Sequence, residues 1–85
     1  MKTNYKHIGF EFDGFDHTIE PPKGNFCCYS KNEYYTLGWV RWYADWKQYC
    51  FFTNPDVVLS KSCMMDIADF IEKMNDPNKK IVFKG

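Results

Sequence analysis

The chain has 85 residues, 45% hydrophobic and 20% aromatic, and its 11 Lys and Arg balance its 11 Asp and Glu to a formal net charge of zero. That apolar content excludes a disordered chain, the length limits it to one small domain over residues 1–85, and the balanced charge removes the usual electrostatic basis for binding duplex nucleic acid. No apolar run approaches the roughly twenty residues of a membrane span. Met1-Lys2-Thr3-Asn4-Tyr5-Lys6 is not followed by the apolar region of a signal peptide, so a cytoplasmic location and no membrane partner are expected.

In chain order, "HIGFEF" alternates Ile8, Phe10 and Phe12 with His7, Gly9 and Glu11, the period of a half-buried strand. Gly14 in "DGFDH" predicts a turn that ends this strand. "EPPKGN", Glu20 to Asn25, predicts a rigid loop, because two prolines cannot donate to a ladder. Extended structure resumes from Phe26 to Ser30, and "SKNE" is a hairpin turn into the next strand.

Tyr34 to Tyr43 and Trp46 to Thr53 are both rich in aromatic and β-branched residues, which predicts an antiparallel hairpin joined through Ala44 and Asp45, or through a longer loop with a bulge. "TNPD" breaks the sheet. Ser60 and Ser62 are candidate N-caps for a helix to about Met74, with Met64, Ile67, Ala68, Ile71 and Met74 on its apolar stripe and Cys63 and Phe70 at the margin. Ile81 to Phe83 predict a short edge strand. The expected class is α+β: an antiparallel sheet of three to five strands with one amphipathic helix packed on one face.

A sheet covered by one helix has an inner and an outer face, so the hairpin's aromatics cannot all lie in the core. Strict alternation puts Leu37, Trp39, Arg41 and Tyr43 on one face and Gly38, Val40 and Trp42 on the other. The more apolar set, Val40, Trp42, Tyr49 and Phe51, is assigned to the helix side. The outer face then presents Trp39, Arg41, Tyr43, Trp46 and Gln48, rings with a guanidinium and an amide among them. Such a surface can stack a nucleotide or anchor a protein interface, unless the N-terminal residues or the "EPPKGN" loop cover it as a second small core.

The order G-x-V-R-W-Y-x-x-W-K-Q-Y-C-F-F, carried by Gly38, Val40 to Tyr43 and Trp46 to Phe52, is followed by a helix with Cys63 and "DIADFI" from Asp66 to Ile71. This pattern resembles small uncharacterised proteins encoded by phages and prophages. The resemblance covers roughly the C-terminal half and implies no catalytic residue. It implies a small protein, cytosolic during infection, that binds a host or phage component, anti-defence proteins that block a host immune factor included.

Cys27, Cys28, Cys50 and Cys63 are expected as reduced thiols, with Cys50 and Cys63 at core positions. Their spacing, with His7 and His17, does not form the paired ligands of a zinc site, so no metal and no cofactor are expected. Cys63 near a helix start lacks a base in any motif that would make it a nucleophile. Glu11, Asp13, Asp16 and His17 around Gly14 read as a solvated turn or, if the cluster functions, as an acidic patch that docks on a basic partner or mimics nucleic acid.

The expectation is therefore a non-enzymatic binding protein of phage or mobile-element type. Its binding residues are Trp39, Arg41, Tyr43, Trp46 and Gln48, and its partner is a host or phage protein. A nucleotide or single-stranded nucleic acid on the same face is the alternative, and a homodimer through that face or through a sheet edge also fits the sequence.

Overall fold

The computed structural model describes residues 2–76. Among the described residues, four strands, β1 (Ile8–Asp16), β2 (Lys23–Ser30), β3 (Thr36–Tyr43) and β4 (Gln48–Thr53), precede one helix, α1 (Lys61–Asn75). Each strand pairs antiparallel with the next, so spatial order follows chain order, β1-β2-β3-β4. This is the expected α+β class, with the helix against one face of the sheet. The predicted strand at Ile81 to Phe83 lies outside the described residues.

Three local departures from the sequence expectation have identifiable causes. First, β1 does not end at Gly14. It continues to Asp16 through a one-residue bulge, because the register passes from Phe12↔Phe26 to Phe15↔Gly24 while Gly14 takes a φ of 85°. Glycine enters that region without steric cost, so the extra residue is absorbed within the strand, and Phe15 returns to within 5.0 Å of the Phe12 ring. The turn follows at Asp16, whose carboxylate accepts from the Thr18 N–H at 3.0 Å and from its hydroxyl. β2 starts at Lys23, earlier than predicted, since only Pro21 and Pro22 lack a donor and both precede it.

Second, β3 starts at Thr36, because Tyr34 has a φ of 55° and closes the turn by donating its N–H to the Ser30 carbonyl at 2.9 Å. A second bulge lies opposite, where Cys28↔Gly38 is followed by Tyr29↔Thr36. Leu37 is the inserted residue. It turns into the core at 3% exposure rather than sharing a face with Trp39, as strict alternation required. Third, the β3–β4 connection is a four-residue loop, Ala44 to Lys47, with Lys47 at a φ of 51°. Trp46 therefore sits in the loop, its N–H on the Tyr43 carbonyl at 3.2 Å, and not in β4.

The core joins Tyr5, Ile8, Phe10, Phe26, Cys28, Leu37, Val40 and Tyr49 of the sheet side to Ile67, Phe70 and Met74 of the helix. Ser60 caps α1, its hydroxyl accepting from the Cys63 N–H at 3.2 Å. Phe70 is fully buried and stacks on Phe10 with ring centroids 3.9 Å apart, edge-on to Phe26 at 5.1 Å. Met64 and Ala68, placed on the apolar stripe from sequence, are exposed. The helix buries a narrow line, Cys63, Ile67, Phe70 and Met74, with Ile71 packed beside it as its spacing predicts, whereas Met64 and Ala68, each one position past Cys63 and Ile67, rotate about 100° toward solvent.

The cysteine expectation is corrected at Cys50, which is half-buried in the row with Arg41 on the side away from the helix, while Cys63 packs against the core. Cys28 is the fully buried thiol, pushed up to about 12 chiefly by burial. Cys28 faces the core and Cys27 the opposite side, as neighbours in a strand must.

The N-terminal arm is tied to the fold at two places. Phe10 donates its N–H to the Thr3 carbonyl at 2.8 Å, and the Tyr5 hydroxyl donates to Asp69 at 2.8 Å. The same carboxylate oxygen takes the Lys73 ammonium at 2.8 Å. Lys73 first and Tyr5 second hold the Asp69 carboxyl below the ordinary carboxylate range. A depressed folded-state pKa adds stability above the unfolded value, near 3.9, and that stability is lost as pH falls through the folded value. Wild type is therefore expected to lose more stability than Asp69→Asn on acidification from pH 5 to pH 2. The difference should be no more than about 1 kcal/mol because solvent reaches the pair. Urea unfolding at the two pH values checks it, and equal losses would contradict the assignment.

Candidate binding face of the sheet

Register decides which side of the sheet each hairpin residue occupies. Phe26↔Val40↔Phe51 and Trp42↔Tyr49 form the rows beneath the helix. Val40 and Tyr49 are buried there, and Trp42 and Phe51 pack against the same cluster, as the alternation of the sequence predicts. The rows between them, Cys27↔Trp39↔Phe52, Arg41↔Cys50 and Tyr43↔Gln48, point to the other side. No strand or helix among the described residues lies over this open face. Of the two segments that the sequence offered as covers, Asn4 pairs with Gly9 along β1, and Lys23 to Asn25 are built into β2, the Lys23 ammonium 4.3 Å from the Trp42 ring centre.

The five residues singled out from sequence are brought to one side of the sheet, Trp39 at its middle and Tyr43, Trp46 and Gln48 toward the β3–β4 loop. Arg41 is exposed and lays its guanidinium over the Trp39 ring at 4.9 Å, a cation–π contact that leaves donors facing solvent. Tyr43 meets Trp46 edge-on at 4.9 Å and Phe52 at 6.0 Å. Its hydroxyl donates to Asp45 at 3.0 Å, and that bond, together with the carboxylate charge, raises the phenol's pKa above its ordinary value. Trp46 is 65% exposed at the loop, and Gln48 is exposed at the start of β4.

The face also holds residues that the sequence reading did not include. Tyr29 lies across Gly9, close enough that a Cβ there would stand 2.5 Å from the phenol ring. Cys27 touches the Thr36 hydroxyl at 3.7 Å, and Glu11 is aligned with Cys27 at the β1 margin. The signal was present in "FCCYS", where Cys27 and Tyr29 alternate with the buried Phe26 and Cys28. Chemically the face offers edge-on rings, a stacked guanidinium, an amide and carboxylates at its margin. Groups of these kinds can contact a protein surface or stack a base.

A cleft of about 300 Å³ opens beside the start of α1, lined among others by His7, Ser30, Tyr35, Leu37, Ser60 and Cys63. It brings His7 and Cys63 into one lining, but no hydrogen bond among the described residues joins them. No group of three or more His, Cys, Asp or Glu among the described residues is placed to share a metal ion. No described helix is long and apolar enough to cross a membrane.

No family model and no solved structure matches this chain. Over 45 residues it is 31% identical to an uncharacterised 9.3 kDa protein of Acholeplasma phage L2, a match covering 53% of this chain. The match spans 58% of that relative's length. The chain is thus similar in part to a small phage protein of unstated activity.

Proposed function

We propose that the chain is a non-enzymatic binding protein of phage or mobile-element type that acts in the host cytoplasm by laying the open face of its sheet on another protein. The observation that carries this reading is the gathering of Trp39, Arg41, Tyr43 and Trp46 on the side of the sheet away from the helix, with Arg41 stacked on Trp39. Tryptophan, tyrosine and arginine are the side chains that dominate interface energetics, since each combines a large contact area with a directed polar group. Gln48 adds an amide at the margin. Blocking a host immune factor is the form such binding takes in an anti-defence protein, and the partial similarity to a phage protein supports that context.

Nucleotide or single-stranded nucleic acid is the weaker reading. Stacking needs a free ring face, and the Arg41 guanidinium already lies over Trp39. The zero net charge also gives a polyanion little attraction. A photo-crosslinking side chain placed at Gln48 tests the choice in host cells. Protein adducts from Gln48, absent when the same group replaces Met65 on the exposed side of the helix, are expected. Nucleic-acid adducts, or equal protein adducts from both positions, would contradict the proposal.

A further inference from the structure

In the free protein, we infer that the open face is occupied by a second copy of this chain, packed face to face about a two-fold axis parallel to the strands. The inference rests on the reading of that face as a protein-binding surface and names a partner for it.

Size is the first support. Strands about 4.8 Å apart and six to nine residues long at about 3.3 Å per residue give a face of about 20 Å by about 25 Å. That is roughly 500 Å² from each copy and about 1,000 Å² in the pair, where specific association begins. The centre of that area is apolar: Cys27, Trp39 and Phe52 form one row, with Tyr29 and Tyr43 to either side. A formal net charge of zero leaves no overall repulsion between copies.

Charge supplies the second support and selects the geometry. Of the acidic side chains at this face, Asp45 is held by the Tyr43 hydroxyl in the β3–β4 loop, whereas Glu11 and Asp16 belong to β1 at one margin and Arg41 belongs to β3. Glu11 is level, through Cys27, with Trp39, two residues before Arg41; Asp16 is level with Lys23, which the β2–β3 register continues to Tyr43. Along the strand direction Arg41 therefore falls between the two carboxylates. An axis parallel to the strands sets β1 of one copy against β4 of the other and β2 against β3. Each Arg41 then comes within a long side chain's reach of the other copy's Glu11 and Asp16, twice by symmetry. An axis across the strands would instead set β1 on β1 and oppose acid to acid, which is unfavourable.

Sedimentation equilibrium of the full chain, of Arg41→Glu, of Glu11→Lys and of an equal mixture of the two variants tests this arrangement. The wild type is expected to dimerise, more weakly as salt rises. Each variant places like charges together twice, and its self-association should fall by at least about tenfold. The mixture restores both pairs and should recover a heterodimer. Far-ultraviolet circular dichroism spectra matching wild type and a cooperative melt establish that the variants are folded, with a lower melting temperature expected from the loss of the partner copy. A monomeric wild type, variants that dimerise like it, or a mixture that stays monomeric would overturn the second-copy inference. The underlying reading fails by a different result, the loss of any face-specific protein adduct from Gln48 in host cells.

Discussion

Phe70→Ala is expected to destabilise the fold by about 3–5 kcal/mol. Phe70 is fully buried and lies flat on Phe10, ring centroids 3.9 Å apart and planes within 2°, with the edge of Phe26 at 5.1 Å. Truncation removes the largest side chain that α1 presses into the sheet and leaves a void between two rings that the strand ladder holds in place. A domain of this length has a total stability of order 4–13 kcal/mol, so the loss is a large fraction of the whole. Urea unfolding followed by far-ultraviolet circular dichroism measures it. A loss under about 1 kcal/mol would mean that the helix is not anchored through Phe70.

Gly38→Ala should cost about 1–3 kcal/mol and also disturb the open face. An added Cβ at Gly38 would overlap the backbone carbonyl oxygen of Phe52 and stand 2.7 Å from Cζ of Phe51. A carbonyl in the β3–β4 ladder cannot swing aside without opening the pairing that holds Trp39 opposite Phe52 and Arg41 opposite Cys50. Gly9→Ala provides the contrast, because its overlap is with the Tyr29 side chain, which can rotate away. Thermal melts should therefore rank Gly38→Ala below Gly9→Ala. The reverse order would contradict the close approach at Gly38.

The regular parts of this fold were legible in the sequence because period-two and helical patterns report burial directly. Val40, Trp42, Tyr49 and Phe51 could be sent to the helix side on their composition alone, and the register agrees. Single-residue insertions were not legible. Gly14 reads equally as a turn or a bulge, and only the pairing of Phe15 with Gly24 distinguishes them. Leu37 alternates correctly with Trp39 on paper, yet the bulge opposite Tyr29 rotates it into the core. Trp46 is a strong strand former and so shortens the loop expected from sequence, whereas a left-handed Lys47 keeps it in the Ala44 to Lys47 loop. On the helix, Ile67, Ile71 and Met74 face the core as their spacing predicts, whereas Phe70 is central rather than marginal and Met64 and Ala68, as apolar as the residues that line the core, face solvent. Of the candidate face, the hairpin's contribution was read from sequence, but Tyr29 and Glu11 join it only through cross-strand neighbours.

The most direct test of the central claim uses Trp39→Ala and Arg41→Ala side by side, with partner capture and stability measured on the same preparations. The open-face account predicts that each variant loses roughly tenfold or more in affinity for the crosslinked partner. Measured at concentrations where the wild type is monomeric, their unfolding free energies should stay within about 0.5 kcal/mol of wild type, since neither side chain is part of the buried cluster. Variants that unfold, or that retain full affinity while folded, would contradict it: the first result makes Trp39 and Arg41 structural, and the second moves the binding surface elsewhere.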